Sequence, residues 1–327
     1  MTKRLDYLDR AKGYLIILVV IGHIWQSGPV FNVIYAFHMP AFFVISGILF
    51  QHTKADQRQF GPFLKSRLFA FGLPFIYIEI LGILTDIVRH GVTLNIKGYL
   101  FNTLTFSFND HNLWFIVDLF LIELLFYALV KVIKDKRILI ITVCLLYAAS
   151  RFLPRDNAYI ATVRSALYYN LFFTFGYCMH SLFHNFYPGL CAVAALIVFS
   201  VGLFFGKNDG GSMLKDLLYM LSGISGAYVI IQAGKVPLGP RTDRALVETG
   251  KNTITIFGTH HFYYAVIAVL IGISDFASTP IGPGLVMLLG VTILEIPTIY
   301  AINRWCPWLA GKHRKAVTLT QHQGEKT

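Results

Sequence analysis

Two histidines and a lysine near the start of the chain are the groups whose types and spacing could do chemistry. Residues 8–47 read LDRAKGYLIILVVIGHIWQSGPVFNVIYAFHMPAFFVISG, two apolar segments joined by a short polar turn, with His23 in the first and His38 in the second. Apolar runs of this length predict membrane helices. Titratable groups inside such helices are costly, so each needs a reason to be there. Lys12 and His23 are eleven positions apart. At ~100° per residue that is close to three full turns, which places both on one helix face, roughly 16 Å apart along the axis. An imidazole at membrane depth can take and return a proton near neutral pH, which suits a general base that activates a hydroxyl. It suits a transporter's proton relay equally well, and a histidine that only bonds a neighbouring helix is the plain structural alternative.

The elements that must position these groups follow from composition. Of 327 residues, 55% are hydrophobic and only 14% charged, against about 25% charged in soluble domains. The fold class predicted is an all-α integral membrane protein of about ten transmembrane helices, with spans near 8–26, 31–52, 66–88, 114–133, 137–153, 162–182, 188–206, 213–234, 252–273 and 282–305. No long polar region separates them, so residues 1–327 read as a single domain, with a basic tail over about 309–327. The net charge of +11 suits loops rich in Lys and Arg on the cytoplasmic side, and no nucleic-acid partner is expected. With the N-terminus inside, 21 of the 28 Lys and Arg fall on inside segments. That bias predicts both termini cytoplasmic. The first apolar run ends at His23-Ile24-Trp25-Gln26, which is no small-residue cleavage site. Cys144, Cys178, Cys191 and Cys306 form no CxxC pair and read as reduced core residues. No HExxH, cysteine cluster or carboxylate-rich ligand set is present, so no metal site is expected.

Other polar groups fall into place around the first two spans. Arg10, Lys12, Lys65 and Arg67 converge at one membrane mouth; they serve as ordinary positive-inside anchors or as partners for a polyphosphate. Ser46-Gly47 puts a small pair in an aromatic helix, for close helix packing or for a ligand channel. Asp118, Glu123, Glu295 and Glu79 are carboxylates within predicted spans, any of which could orient a histidine. His260 and His261 are adjacent, and the ~100° between neighbours lets at most one face a shared cavity. Asp110, His111 and Asn112 close a long outer loop, and Arg164 opens the sixth span.

The run Leu8-Asp9-Arg10-Ala11-Lys12-Gly13, the ten residues between Lys12 and His23, then Phe37-His38-Met39-Pro40 and Phe42-Phe43-x-x-Ser46-Gly47, resembles the membrane acyltransferase-three family, closest to its fucose 4-O-acetylase branch. Lys65-x-Arg67 ahead of Pro74, Leu113-Trp114-Phe115, and Ile254-x-Ile256-Phe257-Gly258-x-His260-His261 add to the match. The resemblance implies a multi-pass protein of the cell inner (cytoplasmic) membrane that moves an acetyl group from cytoplasmic acetyl-CoA to a hydroxyl of a sugar or cell-surface glycan at the outer face. The donor would be a cosubstrate, with no bound cofactor, and lipids the surrounding partner. The family's basic-residue-x10-His motif maps onto Lys12 and His23. Lys stands where Arg is common, keeping the charge without the bidentate fork. On this reading His23, His38 and Ser46 are the catalytic candidates. Arg10, Lys12, Lys65 and Arg67 hold the CoA phosphates, and Trp114, Asp118, Arg164 and His260 contact the acceptor. The alternative is an exporter or proton-coupled transporter of a polysaccharide or lipid-linked glycan, and a structural subunit is a third.

Overall fold

A computed structural model describes residues 4–91, 98, 113–154, 157–184, 190–205, 212–273 and 279–312. Among them every regular element is helical. In chain order the helices are α1 (Asp6–Ile24), α2 (Gly28–His52), α3 (Phe60–Arg67), α4 (Leu73–His90), α5 (Trp114–Val132), α6 (Lys136–Ser150), α7 (Ala158–Cys178), α8 (His180–His184), α9 (Leu190–Phe205), α10 (Met213–Ala233), α11 (Pro240–Lys251), α12 (Thr253–Leu270) and α13 (Ile281–Trp305). Each expected span coincides with one of the long helices. Among the described residues, five stretches are long and apolar enough to cross a membrane by length and composition: Gly28–His52, Phe60–Arg89, Leu214–Ala233, Thr253–Leu270 and Ile281–Trp305. The expected outer-loop group Asp110, His111 and Asn112 lies outside the described residues, as does the tail from residue 313.

Local chemistry sets several helix ends. The Asp135 side chain accepts from the backbone N–H groups of Arg137 (2.7 Å) and Ile138 (3.2 Å), capping α6. Asn157 caps α7 the same way through Tyr159 and Ile160. These side-chain acceptors satisfy donors that a helix start leaves open. Between α3 and α4 the chain makes wider turns over Leu68–Gly72, just before Pro74, which has no N–H to give.

The core is built on α1 and α2. Leu8, Ala11, Leu15 and Ile16 of α1 and Ala41, Phe43, Val44 and Ile48 of α2 are fully enclosed. α2 packs along α7 and α10, α11 packs along α1, and α12 lies against α4 and α1. Large apolar side chains such as Leu285, Leu289 and Ile293 of α13 point outward, as hydrocarbon-facing residues do. Cys144 and Cys191 are exposed on helix faces rather than buried in the core, and Cys178 and Cys306 are half-buried; all four are free. α11 was not anticipated. It is short and polar, with the sequence PRTDRALVETGK, so no hydropathy argument signals it.

Gly47 answers the question of packing against channel. A Cβ at Gly47 would run into the backbone carbonyl of Phe173, and one at Gly176 into that of Val44. The two glycines let α2 and α7 touch backbone to backbone. Gly176→Val therefore forces the helices apart, at roughly 1–3 kcal/mol or more for an overpacked core. The detergent-solubilised variant is expected to melt at lower temperature than wild type, while Gly61→Ala, where a Cβ on helix α3 meets open space, melts no lower than wild type. Equal melting of Gly176→Val and wild type would contradict this packing.

Candidate functional site

The face of α1 that carries Lys12 and His23 walls two cavities in turn. The first, of about 290 Å³, is lined on α1 by Lys12, Ile16 and Val19. Its other walls include Met39, Phe42 and Ser46 of α2, Arg58, Arg67 and Glu123. The second, of about 320 Å³, is lined by His23 and Gln26 at the far end of the same face, with Tyr35, Asp86, Arg89 and His261. Steps of three and four residues from Lys12 to Ile16, Val19 and His23 keep all four on one stripe.

The second cavity holds a histidine cluster. The His23 ring centroid is 4.4 Å from that of His261 and 5.3 Å from that of His260. Both adjacent histidines of α12 lie near the His23 ring, but only one of them faces the cavity, in keeping with the ~100° between neighbours. The three rings form a triangle, with the His260 and His261 centroids 4.3 Å apart. His261 lines the cavity, whereas His260 is buried beneath it. His260 Nδ1 lies 2.8 Å from the carbonyl oxygen of Ile256. That oxygen can only accept, so Nδ1 carries the proton, and in the neutral ring Nε2 is left as an acceptor. His260 Nε2 is buried without a hydrogen-bond partner among the described residues. Ring nitrogens of His23, His260 and His261 all lie within 4.8 Å of one another. Three imidazoles are a donor set for a borderline transition cation, as well as for a hydroxyl or a shared proton. The absence of a local metal motif could not reveal this set, because α1 and α12 assemble it from opposite ends of the chain.

His38 is buried on α2, its Nδ1 2.8 Å from the Ile34 carbonyl, and lines neither cavity. The Tyr35 ring packs 4.7 Å from it and 6.4 Å from His23. Ser46 lies on the wall of the first cavity, so the structure does not place it beside His23.

The basic candidates separate. Lys12 Nζ is 2.8 Å from Asp9 Oδ1, and Asp9 also takes Arg4, so Asp9 is the buried counter-ion that sequence reasoning missed. Arg67 lines the first cavity and pairs with Glu123 at 2.8 Å. Arg10 turns away: its Nε donates to the Gly234 carbonyl at 2.5 Å, and its guanidinium lies 3.7 Å from Asp243. Lys65 is exposed on α3, off the cavity wall. Arg58, by contrast, lines the cavity. Lys312, just past the last helices, donates to Asn252 Oδ1 (2.6 Å) and Asn303 Oδ1 (2.9 Å). Burial pushes its pKa down to about 8, helped by the cations Arg4, Lys12 and Lys251 and opposed by Glu248. Cations that crowd one another in this way form a place where an anion is welcome.

The acceptor candidates also divide. His260 belongs to the histidine cluster. Arg164 lines a third cavity of about 330 Å³ with Tyr147, Arg151, Ser165, Tyr168 and Tyr169. Buried Asp118 accepts a hydrogen bond from Ser165, and Trp114 packs 5.3 Å from the Tyr169 ring. Glu295 accepts from Thr259 at 2.6 Å.

A family model described as an acyltransferase domain, that of the acyltransferase-3 family, matches residues 5–300. The chain belongs to the acyltransferase-3 family. Comparison with curated proteins and with solved structures gave no match. The family and the apolar helices together make this a multi-pass membrane protein with an acyltransferase domain.

The Arg67–Glu123 pair gives a test of the first cavity's wall. Arg67→Ala leaves a buried carboxylate uncompensated, a loss of about 3–5 kcal/mol. The Arg67→Ala variant should melt well below wild type, and adding Glu123→Gln should recover much of the loss. No recovery in the double variant would show that the pair is not what Arg67 supplies.

Proposed function

We propose that this acyltransferase moves an acetyl group from cytoplasmic acetyl-CoA to a hydroxyl of a sugar or cell-surface glycan at the outer face of the inner membrane. About ten transmembrane helices with both termini cytoplasmic would turn the basic cavity inward and the histidine cavity outward. The observation that carries the reading is the single stripe of α1, which runs from Lys12 in one cavity to His23 in the other. Membership of an acyltransferase family favours transfer over transport.

The chemistry follows from the two cavities. Lys12 and Arg58 on the cavity wall, with Lys312, whose charge Lys12 feels, would hold the CoA phosphates, since ammonium and guanidinium groups pair well with phosphate. The pantetheine arm would lie along Ile16 and Val19 and bring the thioester to the end of the basic cavity. The acceptor hydroxyl would enter the histidine cavity, whose Gln26, Asp86 and Arg89 offer the donors and acceptors a sugar requires. His23 takes the hydroxyl proton, and the oxygen attacks the thioester carbonyl carbon. The new C–O bond forms as the C–S bond breaks, and the thiolate leaves and takes the proton as free CoA.

The residues divide the kinetics. His23→Ala should lower kcat by about 10²–10⁴-fold, the usual worth of a general base. Lys12→Ala should mainly raise KM for acetyl-CoA. A His23→Ala enzyme as fast as wild type would remove the base assignment. The pH dependence has a defined sign. Lys312 is a cation below about pH 8 and neutral above it. KM for acetyl-CoA should therefore rise with pH by up to about tenfold between pH 7 and 9. Lys312→Met should flatten that rise while raising KM at pH 7, and an unaltered profile in Lys312→Met would contradict the phosphate role.

A further inference from the structure

Among the described residues, Phe257 is the one that lines both the basic and the histidine cavity. Its ring is held on two sides. Phe115, a wall of the basic cavity, meets it edge-on at 5.8 Å, and His260 of the cluster lies 6.3 Å away. Phe115 is in turn packed by Phe42 and Phe43 at 5.7 and 5.2 Å. The backbone beneath the ring is fixed too. A Cβ on the next residue, Gly258, would run into the Ile78 side chain, so α12 sits hard against α4 at this level. An aromatic side chain braced in this way is a wall between two cavities that α1 otherwise joins along one stripe.

We propose that Phe257 is the partition across which the acyl carbonyl meets the acceptor hydroxyl, and that its ring sets the length of acyl group the enzyme accepts. This rests on the acyl-transfer reading above. A thioester carbonyl arriving from the basic cavity must come to the edge of this ring to be reached from the histidine side. The acyl carbons beyond the carbonyl must then fit in the space the ring leaves. A two-carbon group fits beside a braced phenyl ring; each further methylene competes with it for volume. Replacing the ring by a methyl group removes the competitor and joins the cavities. The Phe257 backbone stays in α12, and neither His23 nor Lys12 is touched.

Two measurements on the full-length protein in proteoliposomes test this. The first compares kcat/KM for acetyl-CoA and hexanoyl-CoA, with fucose-containing oligosaccharides as acceptors, in wild type, Phe257→Leu and Phe257→Ala. The hexanoyl-to-acetyl ratio should rise at least tenfold in Phe257→Ala and by an intermediate amount in Phe257→Leu. The second needs no turnover. In a chain whose four cysteines are replaced by serine, Val19→Cys places a thiol in the basic cavity. A membrane-impermeant maleimide added on the histidine-cavity side should leave it unlabelled when Phe257 is present and label it when Phe257→Ala is added. An unchanged acyl ratio in active, folded variants overturns the selectivity role. Labelling of Val19→Cys that is the same with and without the ring overturns the partition. Val19→Cys labelling that depends on the ring as expected, together with a wild type that transfers no acyl group, upholds the partition and sinks the transfer reading beneath it.

Discussion

A polar side chain in a hydrocarbon layer must be met by protein or by water that protein encloses. The fold is arranged around that constraint as it applies to α1. Lys12 and His23 share one face of α1, with no charged residue between them, and the neighbouring elements supply what each needs. Asp9 and α11 attend the lysine end. α2, α4 and α12 close around the histidine end, which brings His260 and His261 to His23. The rest of α1 is sealed by packing, with Leu8, Ala11 and Leu15 excluded from solvent.

The parts of this arrangement that depend on one helix at a time could be read in advance. Hydropathy placed every long helix, because a buried or lipid-facing helix advertises itself over twenty residues. The Lys12–His23 stripe followed from helical periodicity alone. What depends on two helices meeting could not be read. His261 joins His23 only through the crossing of α1 and α12. Arg10 and Lys12 are two positions apart and look alike in a charge count, yet the helix turns Arg10 to the Gly234 carbonyl and Lys12 to the cavity. Asp9 was visible as a neighbour in sequence, but its role as counter-ion needed the i,i+3 geometry to be taken seriously. The polar helix α11 escaped because hydropathy looks only for spans.

The acceptor candidates show the same limit from another side. Arg164 lines a third cavity, and Asp118 and Trp114 lie against two of its wall residues, Ser165 and Tyr169. Residue types suited to a sugar gather in two places, and sequence has no means of separating them. The histidine cavity has the stronger chemical claim, since a proton acceptor and hydrogen-bonding rim lie together there. The third cavity is lined by three tyrosines, two serines, an alanine and two arginines, Arg151 paired with Asp216 and Arg164 donating to the Leu153 carbonyl, and no histidine lines it.

The central claim is that the two ends of α1 serve the two sides of one membrane. It is tested most directly in oriented proteoliposomes with acetyl-labelled acetyl-CoA on the Lys12 side and fucose-containing oligosaccharides on the His23 side. The account predicts labelled ester on the His23 side, formed while the acetyl-CoA stays where it was added, and lost in His23→Ala. Ester that forms only when donor and acceptor are on the same side would contradict it.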